Sequence, residues 1–241
     1  MISLNLSLYL VLDPDLCGGP EGMIQTARLA ALGGATLVQL RAPAWKKRQW
    51  LDTAKALKAV LSPLGVPLIV NDHIDVALMA GADGVHLGQA DLPVAEARRL
   101  IGPEKILGLS VSNAAQLMAV PENVDYLGIG PVFPTGTKKD AAPVLGLDAF
   151  AALAVSSPLP AVAIGGIGVD ECAPVIAAGA RGIAVISAVC GHDDPRARAA
   201  LLREKIDAAK QSGQECGGNW LPSTSSGQAG QTDLKTCLRQ G

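Results

Sequence analysis

The sequence predicts an α/β fold, a single-domain (β/α)8 TIM barrel over residues 1–210. Short apolar segments alternate with segments of helical periodicity, eight of each. A glycine turn recurs where a helix leads into the next apolar segment, as in GGATLVQL, AGADGVHLG and AGARGIAVI. Apolar residues make up 49% of the chain but aromatic residues only 3%, which is typical of cores in which small and branched side chains surround parallel strands.

Each predicted strand is a short apolar run that ends at a polar residue or a glycine, and each predicted helix has apolar residues near a 3.6-residue spacing. The predicted strands are Leu8–Leu12, Leu37–Leu40, 68–70, 85–87, 106–109, Tyr126–Ile129, Ala161–Ile164 and 182–186. The predicted helices are 23–32, 45–61, 74–80, Val94–Ile101, 114–119, 147–154, 171–178 and 195–210.

Charge and hydropathy exclude several classes of protein. The net charge is −2, and the sequence has neither a basic run nor an aromatic stacking platform, so we expect no nucleic-acid partner. No apolar run approaches the ~18 residues that a membrane span needs. The apolar start of the chain lacks a basic segment before it and is interpreted as the first strand rather than a signal peptide.

The cysteines indicate a reducing, cytoplasmic location. There are five, an odd number without a CxxC pair, which argues against a disulfide framework or a zinc site. Residues 211–241 are rich in Gly, Ser, Gln and Thr without periodicity, so a disordered tail of unassigned function is expected there. The sequence is compatible with a homo-oligomer but does not define one.

Two carboxylates follow neighbouring predicted strands. Asn71 and Asp72 end the third strand, and Asp91 lies shortly after the fourth. Adjacent strands lie ~5 Å apart, so both acids can meet at one edge of the barrel. Two oxygen ligands with open positions suit a Mg²⁺ ion that substrate phosphate completes. The alternative is that Asp72 is only a turn former or a helix cap.

Further polar side chains end other strands. Gln39 and Arg41 alternate with Leu40, so both can point into the barrel mouth, where Arg41 could hold a diphosphate through two hydrogen bonds. Alternatively, Arg41 pairs with a structural acid. Ser110 ends the fifth strand as a hydroxyl donor or, alternatively, acts as a helix cap.

Two loops could bind phosphate. The long loop 130–146 carries Thr135, Thr137 and Lys138, two hydroxyls and an ammonium group around Gly136. A solvated turn is the alternative. Gly165-Gly166 and Ile186-Ser187 follow the seventh and eighth strands, where barrels of this type commonly bind phosphate, unless these glycines only form a turn.

No general base is evident in the sequence. His86 lies inside the fourth predicted strand and is interpreted as an inward-facing histidine with satisfied hydrogen bonds. The sequence thus predicts a Mg²⁺ site, cationic side chains for a diphosphate and a separate phosphate site, but no base. This combination favours displacement of diphosphate over proton abstraction from carbon.

Six segments resemble thiamine phosphate synthases, and the resemblance spans residues 8–208. They are VQLR at 38–41, LIVNDHIDVALMAGADGVHLGQADLP at 68–93, LGLS at 107–110, GIGPVFPTGTKKDA at 128–141, AIGGI at 163–167 and AVISA at 184–188. The resemblance implies a transferase that joins 4-amino-5-hydroxymethyl-2-methylpyrimidine diphosphate to a (carboxy)thiazole phosphate, with release of diphosphate.

The resemblance also implies roles for individual residues. Mg²⁺ would be held by Asp72 and Asp91. Contacts to the pyrimidine diphosphate would come from Gln39, Arg41, Asn71, Ser110 and Lys138. Contacts to the thiazole phosphate would come from Thr135, Thr137, Gly166, Ile186 and Ser187. The catalytic roles would fall on Arg41, Lys138 and Ser110.

One position departs from the family pattern. Family members usually carry a lysine two residues after the arginine, but this chain has Pro43 there, and Lys46 or Lys47 are the candidates to replace it. A thiazole tautomerase-like relative, a non-catalytic protein that binds thiamine precursors and another phosphate-binding barrel remain as alternatives at this point.

Overall fold

The strands close into a barrel in the order in which they occur along the chain. The computed structural model describes residues 4–136 and 142–217, with side chains up to residue 212. Within this part, each strand pairs in parallel with the next and β8 pairs with β1. The strands are β1 (Leu8–Leu12), β2 (Leu37–Leu40), β3 (Leu68–Asn71), β4 (Gly84–Leu87), β5 (Ile106–Val111), β6 (Tyr126–Ile129), β7 (Ala161–Ile164) and β8 (Gly182–Val185). The predicted (β/α)8 barrel is confirmed.

Helices follow the strands on the outside of the barrel. They are α1 (Pro14–Cys17), α2 (Pro20–Leu32), α3 (Lys47–Leu61), α4 (Ile74–Ala80), α5 (Val94–Ile101), α6 (Ala114–Met118), α7 (Leu147–Ser156), α8 (Cys172–Ala177) and α9 (Pro195–Gly217). Among the described residues, no helix is both long enough and apolar enough to cross a bilayer. The sequence did not predict α1, which is too short for periodicity and is capped by the Asp13 carboxylate, 3.0 Å from the backbone nitrogens of Asp15 and Leu16.

Several predicted boundaries differ from the observed ones, and two of these differences have a clear physical reason. Ser110 does not end β5, because β6 continues to pair with it through the register Ser110↔Gly128 and Val111↔Ile129. The last helix does not end at residue 210 but continues to Gly217, since no proline interrupts its hydrogen bonding, and Ser212 Oγ donates to the Ala208 carbonyl. The expected tail from residue 218 onward lies outside the described residues.

The core has two layers because strand residues alternate between the two faces of the sheet. Leu8, Leu10 and Leu12 face the helices, whereas Tyr9 and Val11 belong to the cluster inside the barrel. The interior cluster also includes Leu37, Ile69, Ile106, Tyr126, Val162 and Ala184. Residues two or four positions further along these strands have the same orientation, which aims Gln39, Asn71 and Ser110 at the carboxyl-terminal mouth.

An aspartate before β4 anchors the opposite end of the barrel. Asp83 accepts hydrogen bonds from Lys58 Nζ at 2.7 Å and from the Leu68 backbone nitrogen at 2.8 Å, so it joins α3 to β3. Its side chain is only 16% exposed. Asp125 repeats the arrangement before β6, where it accepts from Arg98 and from the Leu107 nitrogen.

We predict that Asp83→Ala lowers the free energy of unfolding by about 2 kcal/mol, because a half-buried ammonium and a strand N–H both lose their acceptor. Denaturant unfolding measures the change. Asp52→Ala is the matched control, since Asp52 pairs with Arg48 on an exposed helix surface, and it should cost ~0.5 kcal/mol or less. Equal losses in both variants would contradict the anchoring role.

Candidate active site at the carboxyl ends of the strands

A cavity of about 500 Å³ opens at the carboxyl-terminal mouth of the barrel, and each of the eight strands contributes to its lining. This volume lies in the range of small-molecule sites. The predicted site residues that line it are Gln39, Arg41, Asn71, Asp72, Asp91, Ser110, Thr135, Gly166, Ile186 and Ser187. Thr137 and Lys138 lie outside the described residues. The cavity therefore brings together all the predicted residues that the structure describes.

Asp72 has an unusual backbone conformation. It follows β3 directly with φ of 60°, and its backbone nitrogen donates to the His86 carbonyl at 2.9 Å. The cap position of α4 is His73, so the interpretation of Asp72 as a helix cap is wrong. Positive φ in a non-glycine residue is strained, and such strain clusters at functional sites.

Asp91 faces the same cavity from the loop after β4. One of its carboxylate oxygens, Oδ2, accepts the Gly88 N–H at 2.7 Å, which orients the carboxyl group. Among the described residues, no group of three or more His, Cys, Asp and Glu could enclose a metal ion. Carboxylate oxygens such as those of Asp72 and Asp91 are ligands of the kind that Mg²⁺ takes in proteins, where substrate and water complete its coordination.

Arg41 supplies positive charge to the cavity. In residues 4–136 and 142–217, no acidic side chain forms an ion pair with it. The alternative in which Arg41 serves a structural ion pair is therefore wrong for the described chain. A guanidinium without a protein carboxylate in a cavity is well suited to bind an anionic ligand.

Neither candidate for the absent lysine lines this cavity. Pro43 is part of the lining, but Lys46 lines a separate, open groove between α2 and α3. Lys47 Nζ lies 2.8 Å from the Asp75 carboxylate and 2.9 Å from His73 Nδ1. Burial lowers the pKa of His73, the Lys47 charge lowers it further, and the charges of Asp75 and Asp91 oppose this shift. Lys47 therefore binds to the segment around His73 and Asp75, after β3, and not to the cavity.

His86 connects the cavity with the barrel interior. Its Nδ1 lies 2.9 Å from the Tyr126 hydroxyl and its Nε2 2.9 Å from Ser110 Oγ. The prediction of an inward-facing histidine with satisfied hydrogen bonds is confirmed. Ser110 is an interior strand residue, and Asn113 caps α6, so the alternative that Ser110 is a cap is wrong.

Tyr9, which lines the cavity, and Tyr126, which lies behind it, were not predicted from the sequence. Their hydroxyls lie 2.8 Å apart inside the barrel, and Gln39 Nε2 donates to the Tyr9 hydroxyl at 2.6 Å. They are the only tyrosines in the chain, and both fall in predicted strands. Two tyrosines in predicted buried strands were the feature of the sequence that could have indicated buried hydroxyl groups near the site.

The loop after β6 packs on the end of β7, at the mouth of the cavity. The Val132 and Phe133 nitrogens donate to the carbonyls of Ile164 and Gly165 at 2.9 and 3.0 Å. Gly166 has φ of 64°, and a Cβ there would come within 2.5 Å of the Pro134 carbonyl oxygen. This glycine is required by the close approach of the loop as well as by the turn.

Fold and cavity together place this chain among the (β/α)8 barrels with a cavity at the carboxyl ends of the strands, where enzymes of this fold have their active sites. Residues 8–189 match the family model of thiamine monophosphate synthase. The chain belongs to the thiamine monophosphate synthase family, whose members catalyse a transfer reaction of thiamine biosynthesis.

Individual relatives agree with this assignment. The thiamine-phosphate synthase of Laribacter hongkongensis is 57% identical over 201 residues, which is 83% of this chain and 94% of that protein. That of Xanthobacter autotrophicus is 49% identical over 207 residues, 86% of this chain and 98% of that protein. The solved structure of thiamine phosphate pyrophosphorylase from Pyrococcus furiosus is 36% identical with a TM-score of 0.76 and covers 85% of this chain and 97% of that one.

Proposed function

We propose that this enzyme joins 4-amino-5-hydroxymethyl-2-methylpyrimidine diphosphate to a (carboxy)thiazole phosphate and forms thiamine phosphate and diphosphate, with loss of CO₂ where the thiazole carries the carboxyl group. The observation that carries the proposal is the convergence of Asp72, Asp91 and Arg41 with the Gly166 and Ser187 end of the same cavity. We propose that this one cavity binds a cation, a diphosphate and a second phosphate group. The proposed substrates of these sites are inferred from membership of the thiamine monophosphate synthase family.

The diphosphate is proposed to lie against Arg41 and the Asp72–Asp91 pair, with Lys138 contributing from the loop after β6. Mg²⁺ held by the two aspartates would neutralise charge on the departing diphosphate when bound. Arg41 would donate two hydrogen bonds to diphosphate oxygens and keep the leaving group in one orientation. These roles explain why the cavity needs cations more than a base.

The pyrimidine is proposed to lie deeper, against Gln39, Asn71 and Ser110. The C–O bond to the methylene group breaks, and both electrons leave with the diphosphate. The lone pair of the thiazole nitrogen then forms the new C–N bond. No proton has to leave carbon in this step, and Ser110 and Gln39 act by orienting the ring.

The thiazole phosphate is proposed to bind at the ends of β7 and β8, against Gly166, Ile186 and Ser187. Thr135 lines the same cavity. Thr135 and Thr137 are proposed to bind the thiazole phosphate as well. Backbone N–H groups of glycine turns at these positions are suited to a phosphate dianion. The two substrates would then approach each other across one cavity.

The decisive experiment incubates the purified protein with both precursors and Mg²⁺ and detects thiamine phosphate by mass spectrometry. We expect product in stoichiometric amount with released diphosphate. Binding of both ligands without product would identify a non-catalytic binding protein, and isomerisation of the thiazole phosphate alone would identify a tautomerase. Either result would overturn the proposal.

Pro43 offers a test of the departure from the family pattern. We expect Pro43→Lys to raise kcat/KM for the pyrimidine diphosphate by ~10-fold, because it adds a cation to the cavity lining. Ala44→Lys is the matched control, since Ala44 lines the outer groove, and it should change nothing. If Pro43→Lys brings no gain, diphosphate binding is not limited by the absent lysine.

The proposed setting is a reducing cytoplasm with small-molecule substrates. Cys17, Cys172 and Cys190 are free thiols, which fits such a compartment. A homo-oligomer is compatible with the proposal.

A further inference from the structure

A chain of hydrogen bonds crosses the barrel interior between two residues proposed to orient the pyrimidine. It runs from Gln39 through Tyr9, Tyr126 and His86 to Ser110, with separations of 2.6, 2.8, 2.9 and 2.9 Å. These residues come from five different strands. Both tyrosines are almost fully buried. The mechanism above uses the two ends of this chain but gives no role to its middle.

The polarity of the chain follows from one amide group. Gln39 Nε2 donates to the Tyr9 oxygen, so the Tyr9 hydrogen goes to Tyr126, its other hydrogen-bond partner in the described part of the chain. Burial raises the pKa of both tyrosines, so both hydroxyls keep their hydrogens near neutral pH. Tyr126 accepts from Tyr9, and His86 Nδ1 is the other hydrogen-bond partner of its hydroxyl in the described part of the chain, so we infer that the buried Tyr126 hydrogen goes to His86 Nδ1.

The polarity then reaches the cavity. With Nδ1 as an acceptor, a neutral His86 carries its hydrogen on Nε2 and donates it to Ser110 Oγ. The Ser110 hydroxyl hydrogen is left for a ligand. At the other end, one hydrogen of the Gln39 amide nitrogen is used on Tyr9, which leaves the Gln39 carbonyl oxygen for a ligand. The chain of hydrogen bonds thus makes the Gln39 carbonyl an acceptor and the Ser110 hydroxyl a donor toward the cavity.

Glycines make room for this chain. A Cβ at Gly108 would overlap the Tyr126 ring and hydroxyl and His86 Nδ1. A Cβ at Gly128 would lie 3.2 Å from His86 Cε1, closer than ordinary packing allows. Since β5 and β6 pair through Gly108↔Tyr126 and Ser110↔Gly128, both glycines open space beside the same two rings.

We propose that Tyr9 and Tyr126 are positioning residues, with Tyr126 acting through His86. They fix the Gln39 carbonyl as an acceptor and the Ser110 hydroxyl as a donor. The site therefore selects an amino-substituted over an oxo-substituted pyrimidine. The amino group donates to Gln39, whereas an oxo group would face the Gln39 carbonyl oxygen. The identity of the ligand in this inference rests on the proposed function. The direction of the hydrogen bonds from Gln39 to Ser110 does not.

The polarity is tested on the wild-type protein without ligand. Nitrogen NMR of ¹⁵N-histidine-labelled protein reports the tautomer of His86, assigned by comparison with a His86→Gln sample. We expect a protonated Nε2 and an unprotonated Nδ1. The opposite tautomer, or a doubly protonated ring near neutral pH, would overturn the inference.

The selectivity is tested by calorimetric binding of the 4-amino and 4-oxo pyrimidine diphosphates, which requires no turnover. Wild type should prefer the amino ligand by ~10²-fold or more. Tyr126→Phe and Tyr9→Phe should each reduce this preference at least tenfold while binding of thiazole phosphate stays unchanged, which also reports correct folding. Undiminished preference in the folded variants, or no preference in wild type, would refute the inference. Selective binding without product formation would refute only the proposed function.

Discussion

Replacement of either cavity aspartate should abolish product formation. We expect Asp72→Ala and Asp91→Ala each to lower kcat/KM by ~10³-fold or more, about 4 kcal/mol, because a Mg²⁺ ion held by two protein carboxylates loses half of them. Coupled detection of released diphosphate over a range of Mg²⁺ concentrations measures the loss. The strained φ of Asp72 should be relieved in Asp72→Gly, which would be inactive but no less stable.

Asp75→Ala is the matched control for this pair. Asp75 lies three residues beyond Asp72, but its side chain is 59% exposed and pairs with Lys47 outside the cavity. It should retain turnover within a factor of about two, since exposed ion pairs contribute little. Near-normal turnover in Asp72→Ala and Asp91→Ala would remove the metal assignment, whatever the control does.

Replacement of Arg41 should give the second-largest loss. We expect Arg41→Ala to lower kcat by ~10²-fold to ~10³-fold, because the leaving diphosphate loses a donor that acts on developing negative charge. Arg41→Lys should recover only part of the loss, since lysine keeps the charge but not the two parallel hydrogen bonds. Steady-state kinetics on both substrates separate this effect from a simple rise in KM.

Arg48→Ala controls for the removal of positive charge. Arg48 lies on the exposed side of α3, where it pairs with Asp52 four residues later. The variant has the same change in net charge as Arg41→Ala and should leave kcat unchanged. If Arg41→Ala behaves like Arg48→Ala, the diphosphate is bound elsewhere in the cavity.

The strands could be predicted from the sequence because their signal is local. Short apolar runs such as Leu37–Leu40 and Tyr126–Ile129 end at glycine or polar residues, and the structure has the same bounds. The prediction failed at a strand end that is determined by pairing with a neighbouring strand. β5 continues past Ser110 only because β6 offers it backbone partners, and a single sequence does not display that pairing.

The cavity lining could be predicted for a similar reason. In a barrel of parallel strands, a polar residue at a strand's carboxyl end lies at the mouth whatever the details of packing, so Gln39, Asn71 and Asp72 were accessible to reasoning. The hydrogen bond between Tyr9 and Tyr126 was not, because it joins residues 117 positions apart through the interior. The roles of Thr137 and Lys138 stay predictions.

In the proposed reaction, one cation between Asp72 and Asp91 holds the departing diphosphate. A crystal structure of the protein with Mg²⁺ and diphosphate tests it most directly. We expect a Mg²⁺ ion with carboxylate oxygens of both residues at about 2.0–2.1 Å and with diphosphate oxygens among its remaining ligands. Diphosphate bound away from these carboxylates, or a cation that contacts neither of them, would contradict it.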